Sequence, residues 1–374
     1  MYKSKVILQL IESHSVGGAE RVIVNLCEMI LNDGYHPVVV TQKKGWLTEK
    51  SSEIGVKWII LKNTKFFDIR FFLELVRIIR EEKIDLIHSH EFLMNTYCTA
   101  ASIVTGCPIV ATVHGKGYYT EKWRRRAAYR FVGRCANRVV AVSENLKEFL
   151  VEKIRINPSD ISVIWNGVDV KNYFPSDEEK TRRLKHELGL HGIIIGAIGN
   201  LYPVKGHIHL IRAARFIADQ FDEASFVVIG KSTDYQNTLL EEVERLCLTD
   251  RFRFLGFRDD IPQLMQMFDI FVLPSMEETL SIATLEALAS SKPVVATRCG
   301  GPEEIITNGN NGFLVPPGNP EELADKILVL IKNPRLRREF GEEGLRSVRE
   351  KFTSEAMFDN YKRLYEATWR RVEK

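Results

Sequence analysis

Thirteen short apolar runs recur from one end of the chain to the other, and stretches of helical periodicity separate them. The first seven are "KVILQLI", "HPVVVTQ", "VKWIIL", "DLIHSH", "PIVATVHG", "RVVAVS" and "SVIWNG". Beyond residue 190 follow "IIIGAIGN", "SFVVIG", "FRFLGF", "IFVLPS", "PVVAT" and "GFLVPP". Strands that are Val/Ile-rich throughout, not alternating with polar residues, are buried on both faces. Between the first two, Ala19, Val22, Ile23, Leu26 and Ile30 fall at the spacing of one helix face, and Gly34 closes that helix. The pattern predicts an α/β protein with parallel, doubly wound sheets covered by helices on both sides. It pauses once, at the polar "VKNYFPSDEEKTRRLKHELGLHG". We therefore expect a domain over 1–172, a linker over 173–192 and a second domain from 193, with a deep cleft between two Rossmann-like halves. Ligands of such sheets sit at the carboxyl ends of strands, so motifs that follow a strand carry the functional reading.

The chain has 374 residues, 45% hydrophobic and 27% charged, enough for two cores. No apolar run approaches the roughly 18 residues of a membrane span. Residues 6–11 read as a first buried strand and not as a signal peptide. The six cysteines are scattered and form no CxxC pair, which gives no sign of zinc or of a disulfide framework and suits a reducing cytoplasm. The net charge of +3 hides an asymmetry: residues 1–175 hold 25 Lys and Arg against 18 Asp and Glu, a net +7, and the remainder carries −4. A basic front half suggests an anionic partner.

Seven stretches follow strands or stand out by composition. In "ESHSVGGAER", Gly17 and Gly18 lie between a strand and a helix start, where bare backbone can take a phosphate or a sugar ring. This is not GxGxxG, so the dinucleotide fingerprint is missing. In "ATVHGKG", His114 ends a buried strand and can point into the cleft. In "IHSH", His88 and His90 share one strand face while Glu91 faces the other way; a polar strand end at the cleft rim is the expectation, and no metal. In "IGNLYPVKGH", Lys205 stands at a helix N-terminus, which the helix dipole disfavours unless an anion sits between them. "VIGKSTDY" is not a P-loop, because Ser225 occupies the first glycine position; Gly230 remains a strand-end glycine on the ligand side. In "MEETLSIATLEAL", Glu278 and Glu286 lie eight residues apart. On a single helix they would be separated by about 12 Å, too far for an acid/base pair but suited to gripping two ends of one hydroxyl-rich ligand. The amides of 279–282 (Thr279, Leu280, Ser281 and Ile282) would face a diphosphate between them. Finally, "KGYYTEKWRRRAAYRFVGR" places Lys122, Arg125, Arg126, Tyr129 and Arg130 on one helical side next to Trp123, a basic and aromatic face suited to an anionic acceptor or membrane surface.

Taken in order, "GGAER", the "HG" at 114–115, "AVSE", "NGVD", "GNLYPVKG", "FLGF", the Glu-x7-Glu with "LEALASSKPVVAT" and "NGFLVPPGNPEELADKI" resemble the retaining, GT-B-fold glycosyltransferases of the glycosyltransferase family 4 type, also called glycosyl transferases group 1. The resemblance spans nearly the whole chain. It implies a nucleoside-diphosphate sugar, UDP- ahead of GDP-, bound as a substrate by the domain over 193–353, with no cofactor and no essential metal. It implies an acceptor bound by the first domain, and a final segment, 354–374, whose helix crosses back to that domain. Carried over residue by residue, Lys205 neutralises the donor diphosphate, Glu278 bonds the transferred sugar, Glu286 holds the ribose, and His114 lies near the reacting centre. These make His114, Lys205 and Glu278 the catalytic candidates. Gly18, Asn200, Gly230 and residues 279–282 join Lys205 and Glu286 around the donor; Gly17, Gly18, His114, Arg125 and Arg126 face the acceptor. The sequence departs from the family at Asn200, where an Arg is usual, and at Thr279-Leu280-Ser281, where Gly-Phe-Gly is usual. The resulting expectation is a hexosyltransferase acting on a saccharide or lipid-linked acceptor of the cell envelope, cytoplasmic and peripheral on the inner face of the membrane. A sugar-nucleotide epimerase or an inactive sugar-nucleotide-binding protein would share the frame. The basic and aromatic face would also suit nucleic acid, but the expected partners include none.

Overall fold

In the computed structural model, residues 4–12, 16–62, 68–116, 123–173 and 178–372 are described. They form two compact units, Met1–Gly167 together with Ser354–Lys374, and Val168–Thr353.

The first unit alternates β1 (Val6–Leu10), α1 (Gly18–Asn32), β2 (His36–Thr41), α2 (Trp46–Glu53), β3 (Lys57–Ile60), α3 (Ile69–Glu81), β4 (Leu86–His90), α4 (Phe92–Thr105), β5 (Ile109–Val113), α5 (Trp123–Cys135), β6 (Arg138–Ala141), α6 (Glu144–Phe149) and β7 (Ile161–Val163). All strands pair in parallel, in the order β3-β2-β1-β4-β5-β6-β7. The chain runs outward from β1 to β3 and then turns back past β1 to β4. Right-handed crossovers put the helices of these two runs on opposite faces. Accordingly α1 packs with α2 on one face, while α3, α4 and α5 lie side by side on the other. Local chemistry supports the helix ends. Asp68 caps α3 through bonds from the Arg70 and Phe71 amides at 3.0 and 3.2 Å. Gly34, at φ +84°, stops the chain after α1 in a conformation that favours glycine.

The second unit opens with α7 (Glu178–Glu187), which packs on the helix Ile261–Met267 and lies within the segment that the polar pattern marks as a linker. It continues through β8 (Ile193–Ile198), α8 (His207–Ala218), β9 (Ala224–Ile229), α9 (Gln236–Arg245), β10 (Phe252–Phe254), α10 (Ile261–Met267), β11 (Ile270–Leu273), α11 (Ile282–Ala289), β12 (Val294–Thr297), α12 (Pro302–Ile305), β13 (Gly312–Val315), α13 (Pro320–Lys332) and α14 (Pro334–Lys351). Its sheet is again wholly parallel, in the order β10-β9-β8-β11-β12-β13. The two ends of this unit meet: the Val168 amide donates to the Phe352 carbonyl at 2.9 Å.

The last helix, α15 (Ser354–Val372), belongs to the first unit and packs against α1. Tyr361 and Tyr365 are fully buried there, and the Trp369 indole donates to the Asp85 carbonyl at 2.9 Å. Among the described residues no helix is long and apolar enough to cross a membrane.

Candidate functional site

An open parallel sheet leaves a crevice at the carboxyl ends of its strands where strand order reverses. In the second unit that point lies between β8 and β11. The loop after β8 carries Lys205 at the end of a short 3-10 turn, Pro203–Lys205. The loop after β11 carries Ser275 and Glu278. The two loops can touch because Gly206, at φ +66°, has no side chain: a Cβ there would stand 2.0 Å from the Pro274 carbonyl oxygen. The Lys205 ammonium meets Glu278 Oε1 at 2.7 Å, and the Ser275 hydroxyl donates to the same oxygen at 2.8 Å. The Glu278 backbone is clamped as well, its amide donating to the Cys299 carbonyl and its carbonyl accepting from the Gly301 amide. The cation that the sequence left needing an anion is therefore balanced by the carboxylate of the other candidate.

The neighbouring candidates stitch loops together. Asn200 Oδ1 accepts from the Lys231 amide at 3.0 Å, tying the loop after β8 to the one after β9. A Cβ at Gly230 would lie 2.0 Å from the Gly199 oxygen, so close backbone approach requires glycine there. His207 is buried, with Nε2 3.0 Å from the Gly199 carbonyl. Burial draws its pKa down to about 4, so it is a neutral imidazole donating to that carbonyl.

Glu278 and Glu286 do not share a helix. α11 begins only at Ile282, capped by Ser281, whose hydroxyl accepts from the Thr284 amide at 3.2 Å. Leu280 turns inward and is buried. The cap leaves the amides of Ser281, Ile282 and Ala283 without intrahelical acceptors, as at any helix start. Glu286 is buried on α11 at 4% exposure, where a carboxylate needs a partner. Tyr173 provides one, its hydroxyl donating to Glu286 Oε1 at 2.7 Å.

In the first unit the reversal lies between β1 and β4. Gly17 caps α1 and exposed Gly18 opens it. A Cβ on Gly17 would fall 2.7 Å from a Glu20 carboxylate oxygen. Glu12, at the end of β1, has its carboxyl pKa raised by burial. Beyond β5, His114 Nε2 stands 2.9 Å from His90 Nδ1, and His90 Nε2 stands 2.8 Å from Gln9 Oε1. Burial lowers His114 to about 4 and holds His90 well below the usual imidazole range. The expectation of a polar strand end at a rim is overturned for His88 and His90. Both are fully buried. His88 sits between Thr112 and Tyr365, each 2.7 Å away, because α15 covers that face of the strand and brings its own polar partner. Among the described residues no group of three or more His, Cys, Asp or Glu could hold a metal ion.

The basic helix also needs correction. Arg126 is exposed and Arg125 half-buried. Tyr129, however, points into the core, where Asn95 donates to its hydroxyl at 2.9 Å, and Arg130 spends its Nε on the Ile154 carbonyl at 2.8 Å. Lys122 lies outside the described residues. Two residues escaped the sequence reading. Ser275 and Tyr173 carry no motif; Tyr173 is an aromatic in a polar run, the one available hint. Glu91 follows His90 at the reversal point with φ 67° and ψ 170°, a region otherwise almost reserved for glycine.

Two Rossmann-like units, each wholly parallel and each with a polar loop cluster where strand order reverses, make up the GT-B type of glycosyltransferase fold. Anabaena HepE in complex with UDP-glucose has this fold, with a TM-score of 0.89 over 97% of this chain and 99% of that one, at 24% identity. The Glycosyltransferase Family 4 model matches residues 16–172, and the Glycosyl transferases group 1 model matches residues 178–347. The chain belongs to this glycosyltransferase family. Similar proteins include the Escherichia coli UDP-Gal:alpha-D-GlcNAc-diphosphoundecaprenol alpha-1,3-galactosyltransferase, 26% identical over 80% of this chain and 81% of its own. The Bacillus anthracis N-acetyl-alpha-D-glucosaminyl L-malate synthase is 29% identical over 80% of this chain and 79% of its own.

Proposed function

We propose that the protein is a retaining, metal-independent hexosyltransferase. In this reading a UDP-sugar binds the second unit, and a saccharide or lipid-linked hydroxyl acceptor binds the first, at the inner face of the cell membrane. The observation that carries the reading is the Lys205–Glu278–Ser275 cluster at the strand reversal of the second sheet. An ion pair whose lysine is 31% exposed is worth little, on the order of 1 kcal/mol, so an incoming diphosphate can take the ammonium over. Glu278 is then free to accept from hydroxyls of the transferred sugar while Ser275 keeps it oriented. The bond from the anomeric carbon to the β-phosphate oxygen breaks, leaving an oxocarbenium-like sugar. Lys205 and the Ser281, Ile282 and Ala283 amides face the negative charge that develops on the leaving group. One such donor can lower the barrier by about 3 kcal/mol. The acceptor oxygen attacks the same face and its proton passes to the leaving phosphate, a route that needs no protein nucleophile. Glu286, held by Tyr173, receives the ribose hydroxyls, and His114, kept neutral, hydrogen-bonds near the reacting centre. A lipid-linked acceptor is supported by the exposed arginines of α5 and by the lipid-diphosphate acceptor in the name of the Escherichia coli relative.

Thermal shift against UDP-, GDP- and ADP-sugars tests the donor. A UDP-sugar at a hundred times its Kd adds about 2.7 kcal/mol of stability. Glu278→Ala is expected to abolish transfer with nucleotide affinity nearly intact. Chelator should leave the rate unchanged, and NMR of the product should show the donor's anomeric configuration. Full turnover by Glu278→Ala, or no stabilisation by any nucleotide sugar, would overturn the reading.

A further inference from the structure

One apolar hollow of the first unit is lined by none of the residues assigned above to the donor. It is a cavity of about 850 Å³ among the N-terminal halves of α3, α4 and α5. That is within the ~300–1,000 Å³ of sites that bury most of a drug-sized ligand. Phe72, Leu93, Tyr97 and Phe131 form its walls, and exposed Ile69, Trp123 and Arg124 stand at its mouth.

The polar groups of the walls are turned inward on the protein itself. The Asp68 amide donates to the Tyr97 hydroxyl at 2.5 Å. The Asp68 carboxylate is taken up by the α3 cap, and the Thr96 hydroxyl donates to the Phe92 carbonyl at 3.0 Å. What the hollow offers a ligand is therefore hydrocarbon, with charge only at the opening. Beside the Asp68 carboxylate, which caps α3, that charge is cationic. Arg124 lies against the Trp123 ring, Arg125 and Arg126 follow it, and the first turn of α5 has no acidic residue. Ile69 and Trp123, each 68% exposed, are large apolar side chains in open solvent at the mouth, and Leu73, one turn on from Ile69 along α3, is 60% exposed. Exposed apolar groups rimmed by cations match a bilayer surface bearing phosphates. All three helix starts follow carboxyl ends of strands, as does His114, so a headgroup at the mouth lies on the functional edge of the sheet.

We propose that this groove seats the hydrocarbon segment next to the headgroup of a phosphorylated membrane lipid, with the phosphate outside against Arg124 and Arg126. The inference deepens the acceptor side of the proposed transferase and rests on that reading. Each methylene buried in such a groove multiplies affinity about fourfold.

The test is calorimetric titration of the full chain with farnesyl phosphate below its micellar concentration, beside farnesol and inorganic phosphate. Farnesyl phosphate should bind saturably, and each control at least tenfold more weakly. Ala127→Trp, at an exposed lining position, should weaken farnesyl phosphate at least tenfold with UDP affinity and melting temperature unchanged. The rim variant Arg124→Glu/Arg126→Glu should lose farnesyl phosphate but keep the weak binding of farnesol. Equal affinity in Ala127→Trp and the parent chain overturns the groove. So does a concentration-dependent dimer that Ala127→Trp abolishes while farnesyl phosphate never binds. A chain that glycosylates a soluble saccharide yet ignores farnesyl phosphate sinks this inference and leaves the transferase standing. One that fills the groove with farnesyl phosphate but binds no nucleotide sugar keeps the groove and sinks the transferase.

Discussion

At Glu278 a single carboxylate oxygen receives two donors, Lys205 and Ser275, and the two have different prospects once a diphosphate arrives. In the proposed reading the lysine is shared with the ligand and the serine is not. A hydrogen bond to a charged group is worth about 1.5–3 kcal/mol. We expect Ser275→Ala to lower kcat/KM about tenfold while the UDP affinity measured by calorimetry stays within twofold. A parallel loss of UDP affinity would show that the serine supports the fold of the loop instead.

Elements explain which parts of the site could be read in advance. The thirteen strands among the described residues and the strand-end positions of His114, Gly230 and Lys205's loop follow from apolar run length and flanking glycine, signals written locally. The start of α11 does not. "EETLSIATLEAL" carries helical periodicity through both glutamates, and only the Ser281 cap, together with the pairing of Glu278 to Gly300 beside β12, keeps Glu278 off the helix. That pairing joins residues distant in sequence, so no local pattern announces it. Tyr173 is hidden for the same reason, since its partner Glu286 lies 113 residues on. Tyr173→Phe should raise the donor KM several-fold with kcat little changed, as expected of a residue that orients a binding group. An unchanged KM would remove it from the site. α15 shows the same dependence on distant pairing. Its Tyr365 hydroxyl meets His88 Nδ1 at 2.7 Å inside the first unit. Leaving that buried nitrogen unpaired costs about 1–3 kcal/mol, so Tyr365→Phe should lower stability by that amount while UDP affinity is kept.

For the molecule as a whole, three buried imidazoles and the half-buried His114 set an acid limit on both units at once. His88, His90 and His114 lie in the first unit and His207 in the second, and desolvation is the leading cause of the lowered pKa in each. In the unfolded chain each takes up a proton near pH 6.5. In the folded chain His114 and His207 do so only at about 4, and His88 and His90 stay well below their usual value. Between pH 6.5 and about 4 the unfolded state thus binds more protons, so stability falls as pH drops through that window and is indifferent to these groups above it. A displacement from 6.5 to about 4 amounts to roughly 3 kcal/mol for one group at the lower limit. Since both units hold such groups, acidification should weaken both rather than release one intact. Urea unfolding at pH 7.5, 6.0 and 5.0 would register a progressive fall in midpoint. His207→Gln keeps a donor for the Gly199 carbonyl but cannot titrate, so it should flatten the dependence of the second unit alone. Equal midpoints at pH 7.5 and 5.0 would mean that these imidazoles reach solvent, and the buried network under His114 would then have to be abandoned.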